Sequence, residues 1–401
     1  MPVAVVLPEN FPVKRKLRVS TRHIDDLPLD EEDLRQYDDT TVFYDVFFNS
    51  DNSRLCMVGP PLLNLRELIT PITITLDGKR FEVGVKEFFK ARFCIGEVDL
   101  QGHEINAVNE LQIDFNRRFG FSARLPKSDV EAARSILTTL QKDNKIDWIE
   151  DWVRYYREHY GVEKVVLYDN GSANVDELKL ALPDITIEDW PYKHGVTKSH
   201  GNKFCQYGSL NHCRLKYGQG SYIFNFDIDE LLCYPPNRLQ DELERYDAIL
   251  FDSYNVPFKN IISGDYSYPD FSTREIENRG SGFKYIYKSD RVIANNIHFV
   301  RTRKGDLSEK IYRQLARLGR KLSRGNAFAR LLSRIVLRSL QLKYVDPSQG
   351  YYLHFIGITT NWKGDYYDRF SEETSRQPDT DIEPEFLAPI AALAKASPPK
   401  N

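Results

Sequence analysis

A chain of 401 residues, 41% hydrophobic and 28% charged, has room for two or three domains, each with its own core. It has no uninterrupted apolar run of about 18 residues, the opening MPVAVVLPENFPVKRKL carries no signal-peptide core, and five cysteines at irregular spacing make no disulfide framework. Neither membrane spanning nor export is expected, and a reducing, cytoplasmic setting is. The net charge of −3 conceals a sorting: between Arg301 and Lys343 the chain carries 13 Lys and Arg against two acids, Asp306 and Glu309.

Residues 1–40 are polar and charged, with an acidic run from Asp25 to Asp39, and predict a peripheral or poorly ordered lead-in. Over 41–130 the runs TVFYDVFF, ITPITITL and KRFEVGV favour strands. Asp77-Gly78, between the second and third, is a hairpin signal, and alternation in NELQIDFNRRFGFSARL up to Pro126 completes a β-rich accessory domain.

From 131 to 300 strands alternate with helices. SILTTLQKDN reads as a strand, IDWIEDWVRYYREHYG as a helix that stops at Gly161, and VEKVVLYDNGS as a strand ending in the turn Asp169-Asn170-Gly171-Ser172. A short helix and strand in ELKLALPDITIEDW, a helix over Gln206 to Lys216 and the strand YIFNFDID follow. This alternation predicts an α/β fold: a Rossmann-like, mostly parallel sheet flanked by helices.

The strand YIFNFDIDELL runs apolar into Asp227-Ile228-Asp229-Glu230. Charged side chains are seldom buried unless they are paired or bind metal, and the carboxyl end of such a strand is where open α/β sheets bind ligands. Two carboxylates one residue apart suit a hard cation, Mn²⁺ or Mg²⁺, shared with substrate phosphates. The plainer alternatives are an exposed acidic turn and a pair of caps. Cys205, His212, Cys213 and Cys233 match no usual zinc spacing and read as buried thiols. The aromatic face of the 148–160 helix reads as packing, with carbohydrate stacking the lesser alternative.

The order WIEDWVRYYREHYGV, VVLYDNGSAN, QYGSLNHCRLKYGQGSYIFNFDIDELL resembles the GT-A-fold glycosyltransferases of family 92 and related family 2-like enzymes. The likeness covers about 133–300 and a patch around His354. It implies that Asp227 and Asp229 hold the metal against a donor diphosphate and that Asp169, with Asn170, contacts the nucleoside. Asn211-His212 would help to shape the donor pocket. Lys284 and His298 resemble a later K-x-I … H pattern, and His354, followed by Lys363, a terminal H-aromatic element that would add a metal or diphosphate ligand. Departures are Asp143-Asn144 where relatives carry Asn-Glu, Phe355 where Tyr is usual, and the basic insertion at 301–343.

Within that insertion Ile311, Leu315, Leu318 and Leu322, then Phe328, Leu331, Leu332, Ile335 and Leu342, fall near helical spacing, broken at Gly325-Asn326. Two basic amphipathic helices are expected. Either they pack on the catalytic domain with a solvated cationic face, or they use 307–342 to meet an anionic membrane surface. The catalytic domain resumes over 344–374, and a Pro/Ala-rich tail spans 375–401.

The expected activity is metal-dependent transfer of a sugar from a nucleotide diphosphate sugar to a glycan or lipid-linked acceptor hydroxyl, with inversion implied by the resemblance. Asp252, which ends the strand AILFDS, and Asp270 are the candidate bases, among Asp252, Asp265, Asp270 and Glu275. A haloacid-dehalogenase-like phosphatase, whose nucleophilic strand also ends Asp-x-Asp, and a non-catalytic glycan- or membrane-binding scaffold are the rivals. Nucleic acid is not an expected partner.

Overall fold

The computed structural model describes residues 2–17, 31–88, 92–196, 204–257, 266–276, 282–303, 309–323, 325–358 and 378–396. The chain divides into two compact units: 1–132 with 188–219, and 133–187 with 220–401.

In the first unit two four-stranded antiparallel sheets share one apolar core. One contains the hairpin of Ile72–Leu76 and Lys79–Glu82, whose turn residues Asp77 and Gly78 both have positive φ, 46° and 82°. That is the turn the Asp-Gly pair promises, because its twist matches that of the strands. Val108–Phe115 alternates exposed and buried along its whole length, as the sequence pattern requires.

The described part of the lead-in is built into this unit instead of lying at its periphery. Val5–Val6 pairs with Thr41–Phe43, and the Arg15 guanidinium, 2% exposed, donates to the carbonyls of Pro61 and Asp38 at 2.7 Å each. A buried guanidinium needs such acceptors, so this segment is fixed by hydrogen bonding that no hydropathy pattern reveals.

The Cys205–Lys216 helix also belongs to the first unit. A Cβ at Gly208 would lie 2.6 Å from the Tyr44 ring, so glycine allows the helix to seat there. All five cysteines are buried thiols.

The elements that bear on the site, in the second unit apart from the last two residues of β3, are β1 (Ser135–Gln141), α1 (Ile146–Tyr160), β2 (Lys164–Asp169), α2 (Val175–Ala181), β3 (Thr186–Asp189), β4 (Tyr222–Asn225), β5 (Glu230–Cys233), α3 (Pro236–Arg245), β6 (Ala248–Val256), β7 (Phe283–Lys288), α4 (Glu309–Ser323), α5 (Ala327–Ser339), β8 (Leu342–Tyr344) and β9 (Tyr351–Phe355). The sheet order is β3-β2-β1-β4-β7-β6-β9-β5, with β8 beside β6.

The sheet is mixed. β1 runs parallel to β2 and β4, but β7 is antiparallel to β4 and β6, and β5 is antiparallel to β9. Strand β6 links the two halves: residues 248–252 pair with β7 and residues 253–256 with β9. Leu342, expected on the second basic helix, lies in β8. That helix starts at Ala327, with the Asn326 side chain accepting from the Ala329 N–H at 3.0 Å.

Helix α1 stops at Gly161, which takes the left-handed φ of 65° that glycine adopts without a Cβ clash. Its tyrosines solve a backbone problem. Strand β5 ends the sheet, and its remaining polar groups meet side chains instead of a further strand. The Tyr156 hydroxyl donates to Glu230 O at 3.1 Å and accepts from Leu232 N at 3.1 Å, while Tyr155 donates to Leu232 O at 2.7 Å. The Tyr160 hydroxyl meets Leu232 O at 2.6 Å and accepts from Tyr234 N at 3.2 Å. The aromatic helix thus secures the strand that carries Glu230.

Among the described residues no helix is long and apolar enough to cross a membrane.

Candidate active site

The parallel strands β2, β1 and β4 have their carboxyl ends on one side of the sheet, and the order 3-2-1-4 reverses direction between β1 and β4. A crevice opens at such a switch point because the crossovers on either side of it leave toward opposite faces. Thr139 near the end of β1 and Asp227 just past the end of β4 meet there, the threonine hydroxyl donating to Asp227 Oδ1 at 2.9 Å.

The Asp227–Glu230 loop is tightly determined. Glu230 Oε2 accepts from the Asp227 N–H at 2.7 Å, and the Glu230 N–H donates back to Asp227 O at 3.0 Å. The Tyr268 hydroxyl donates to the carbonyl of Ile228, the residue between the aspartates. Lys284, reaching in from β7 and fully buried, lies 2.7 Å from Asp227 Oδ2 and 2.9 Å from Glu230 Oε2.

Burial, reinforced by the charges of Asp227 and Asp229 and opposed by Lys284, pushes the Glu230 carboxyl up to about 7. Burial alone would pull the Lys284 ammonium down, but the two carboxylates outweigh it and hold the lysine charged, above its ordinary range.

Asp229 faces His354 of β9. His354 Nε2 lies 3.3 Å from Asp229 Oδ2, its Nδ1 lies 3.3 Å from Asn255 Oδ1, and the Phe355 N–H donates to Asp229 O at 2.7 Å. Asn255 in turn donates Nδ2 to the buried Glu275 at 3.0 Å, which turns its oxygen toward the histidine. With an acceptor at each ring nitrogen, burial pulls the His354 pKa down but the Asp229 carboxylate wins and raises it.

Ligand atoms of Asp227, Asp229 and Glu230 come within 4.8 Å of one another. Asp227 and Asp229 keep side-chain exposures of 30% and 24%, His354 of 25%. Two partly accessible carboxylates and an imidazole whose far nitrogen is already engaged make a donor set that fits Mn²⁺ or Mg²⁺.

The structure gathers Asp227, Asp229, Lys284 and His354 into this site. His298 lies on the hairpin after β7 with Nδ1 3.3 Å from Phe283 O, and the neighbouring Gly282 is needed, since a Cβ there would come within 2.6 Å of the imidazole. Asp169 spends its carboxylate on its own turn: Oδ2 accepts from Gly171 N and Ser172 N at 3.0 Å each, and Oδ1 accepts from Gln141. Asn170 is buried, its N–H donating to Gln141 O at 2.9 Å.

Asn211 and His212 sit on the helix of the first unit. His212 is fully buried with Nε2 2.8 Å from Asp45 Oδ2, and Asn211 donates to Tyr207 O at 2.8 Å. Lys363 lies outside the described residues.

Of the two candidate bases, Asp252 is 1% exposed and accepts from the Tyr344 hydroxyl. Asp270 is exposed and closes a capping box, accepting from the Ser267 N–H at 2.8 Å in the turn that carries Tyr268. The sequence alone does not single out Thr139 or Asn255. Each is one of several polar residues in its strand, beside Thr138 and Gln141 in SILTTLQ and beside Asp252 and Ser253 in AILFDSYNV, so nothing local sets it apart.

The sequence model of glycosyltransferase family 92 matches residues 138–391. Among solved structures, the crystal structure of S. aureus TarS 1-349 is similar at 12% identity, covering 65% of this chain and 70% of that one with a TM-score of 0.28. The same protein in complex with UDP gives 12%, 64%, 70% and 0.29. No curated protein matches. The family match spans well over half of the chain and includes the end of β1 with Thr139, the Asp227–Glu230 loop and His354. The chain therefore belongs to glycosyltransferase family 92, and it is a glycosyltransferase.

Proposed function

We propose that this glycosyltransferase moves a sugar from a nucleotide diphosphate sugar to an acceptor hydroxyl in glycan or polysaccharide synthesis, with Mn²⁺ or Mg²⁺ held by Asp227, Asp229 and His354, on a GT-A-like fold. The observation that carries the proposal is the convergence of Asp227, Asp229, Lys284 and His354 outside the carboxyl ends of β1 and β4, where the strand order reverses.

Bound there, the cation supplies neutralisation of the charge that develops on the departing nucleoside diphosphate. The protein's own groups supply position. Lys284 balances Asp227 and Glu230, so the loop keeps its shape without repulsion among three carboxylates. Thr139 fixes the rotation of the Asp227 carboxylate. Asn255, held by Glu275, accepts from His354 Nδ1–H and leaves Nε2 directed at Asp229. The nucleoside is proposed to lie over the turn of Asp169 and Asn170, which ends the strand next to β1.

Family membership and the three strands that precede β4 favour transfer over the phosphatase alternative, and the complete set of paired acids disfavours a degenerate scaffold. The basic helices α4 and α5 suggest a further element of the proposal, work at an anionic membrane surface on a membrane-bound acceptor.

The test is a panel of nucleotide sugars incubated with the full chain and Mn²⁺, read as donor binding by calorimetry and as slow donor hydrolysis. One donor bound and hydrolysed with metal, and neither with EDTA, supports the proposal; a panel without a single binder contradicts it.

A further inference from the structure

Helix α5 presents two chemically opposite faces. Phe328, Leu331, Leu332 and Ile335 make one outward stripe, 68%, 53%, 37% and 60% exposed, and Ile311 and Leu318 of α4 are each 46% exposed. The hairpin itself is firmly built: Ser333 donates to Gly319 O at 2.6 Å, and a Cβ at Gly319 would lie 2.6 Å from Leu337. The stripe is thus not a packing face left open by a loose hairpin.

On another side of α5, Arg330, Arg334 and Arg338 fall in a row at i, i+4 and i+8. Together with Lys343 of β8 they line a cleft of about 190 Å³, with Tyr246 and Tyr344 among the remaining walls. Asp346 also lines this cleft, and Lys343 lies 3.3 Å from Glu242, so the arginine row outweighs the acids there.

Large exposed apolar patches mark surfaces that meet something other than water. Along 309–323 and 327–339 the sequence carries eight Lys and Arg against the single acid Glu309. A second copy of this chain would bring two strongly cationic faces together. An anionic surface complements the charge and also offers an apolar layer for the stripe.

We infer that the α4–α5 hairpin seats on an anionic phospholipid surface, with Phe328, Leu331 and Ile335 in the interfacial layer and the Arg330–Arg334–Arg338–Lys343 cleft taking a phosphate headgroup. The inference rests on the membrane element of the proposed function and not on the transfer chemistry. Planar guanidinium groups suit the headgroup role because they donate to phosphate in pairs.

The experiment is flotation of the full chain, without donor, on phosphatidylglycerol–phosphatidylcholine vesicles and on phosphatidylcholine alone. Binding to the anionic vesicles only, weakened by salt, is expected. R330Q/R334Q/R338Q should weaken it on the order of 100-fold, and F328S/L331S/I335S should abolish flotation. R330K/R334K/R338K, which keeps the charge and loses the paired donors, should bind less tightly than wild type. Thermal melts by circular dichroism establish that each variant is folded.

Wild-type protein that floats with neither vesicle overturns the inference. Anionic binding unchanged by the glutamine substitutions overturns it as well. A lysine variant that matches wild type overturns the headgroup cleft. Self-association that the serine variant relieves, with flotation unaltered, reassigns the stripe to a second copy of the chain. None of these results bears on donor hydrolysis, so failure here leaves the transferase proposal intact.

Discussion

His354 Nε2 lies 3.3 Å from Asp229 Oδ2, and the two residues, 125 positions apart, meet because β9 pairs with β5, which Asp229 immediately precedes. Behind the histidine, Asn255 presents an oxygen to Nδ1 because its amide nitrogen is committed to Glu275. This chain orients the imidazole from the side remote from the acid.

Asn255→Leu removes that oxygen and keeps the branched shape of the side chain. Metal affinity should fall 10- to 100-fold, roughly the effect of losing such an outer partner of a metal-binding histidine. The variant also removes the amide that donates to buried Glu275, for a loss of about 1–3 kcal/mol in stability. A Mn²⁺ titration followed by the paramagnetic signal of free ion, alongside a urea melt, separates the two effects.

Lys284→Met should destabilise the second unit by about 3–5 kcal/mol, because Asp227 and Glu230 would then face each other without the buried charge between them. Adding Glu230→Gln should recover part of the loss. A double-mutant cycle in urea measures the coupling, and additive losses would contradict the arrangement.

Tyr156→Phe removes one hydroxyl and strands two backbone groups of β5, Glu230 O and Leu232 N. The expected cost is about 1–3 kcal/mol, with faster amide exchange at Leu232. Equal exchange in the variant and the wild type would show that this edge is held by other contacts.

In the first unit, burial would raise the Glu188 carboxyl, but His212, Lys216, which lies 3.1 Å away, and the Tyr217 hydroxyl outweigh it and bring the value from 4.5 to about 2. A depressed carboxyl stabilises the fold above its unfolded value and loses that contribution as pH falls through its folded value. The stability gap between wild type and Glu188→Gln should therefore be full above pH 5, of the order of 3 kcal/mol, and shrink between pH about 4.5 and 2. Thermal melts across that window read it directly.

What could be read in the sequence followed from local chemistry. The Asp77-Gly78 hairpin, the Gly161 stop, the break at Gly325-Asn326 and the acidic strand end each depend on residues close together in the chain. What could not be read depends on long-range placement. The antiparallel entry of β7 between β4 and β6 puts Lys284 at the acids, and it leaves no periodic trace that differs from that of a parallel strand. The Cys205–Lys216 helix reads as a crossover of the catalytic sheet because it lies between two of its strands, yet its buried polar contacts, His212 to Asp45 above all, tie it to the first unit. Asn255 is one of several polar side chains in its strand, with Asp252 and Ser253, and its partners Glu275 and His354 lie 20 and 99 residues away.

The most direct test of the central claim is the divalent-metal dependence of donor binding in wild type and Asp229→Asn, measured by calorimetry with the donor that the screen identifies. Wild type should bind that donor with Mn²⁺ and lose it with EDTA, whereas Asp229→Asn, folded by circular dichroism, should bind it no better with Mn²⁺ than without. Donor binding by wild type that is indifferent to EDTA, or an Asp229→Asn variant with wild-type metal dependence, would contradict a cation held at Asp229 and His354.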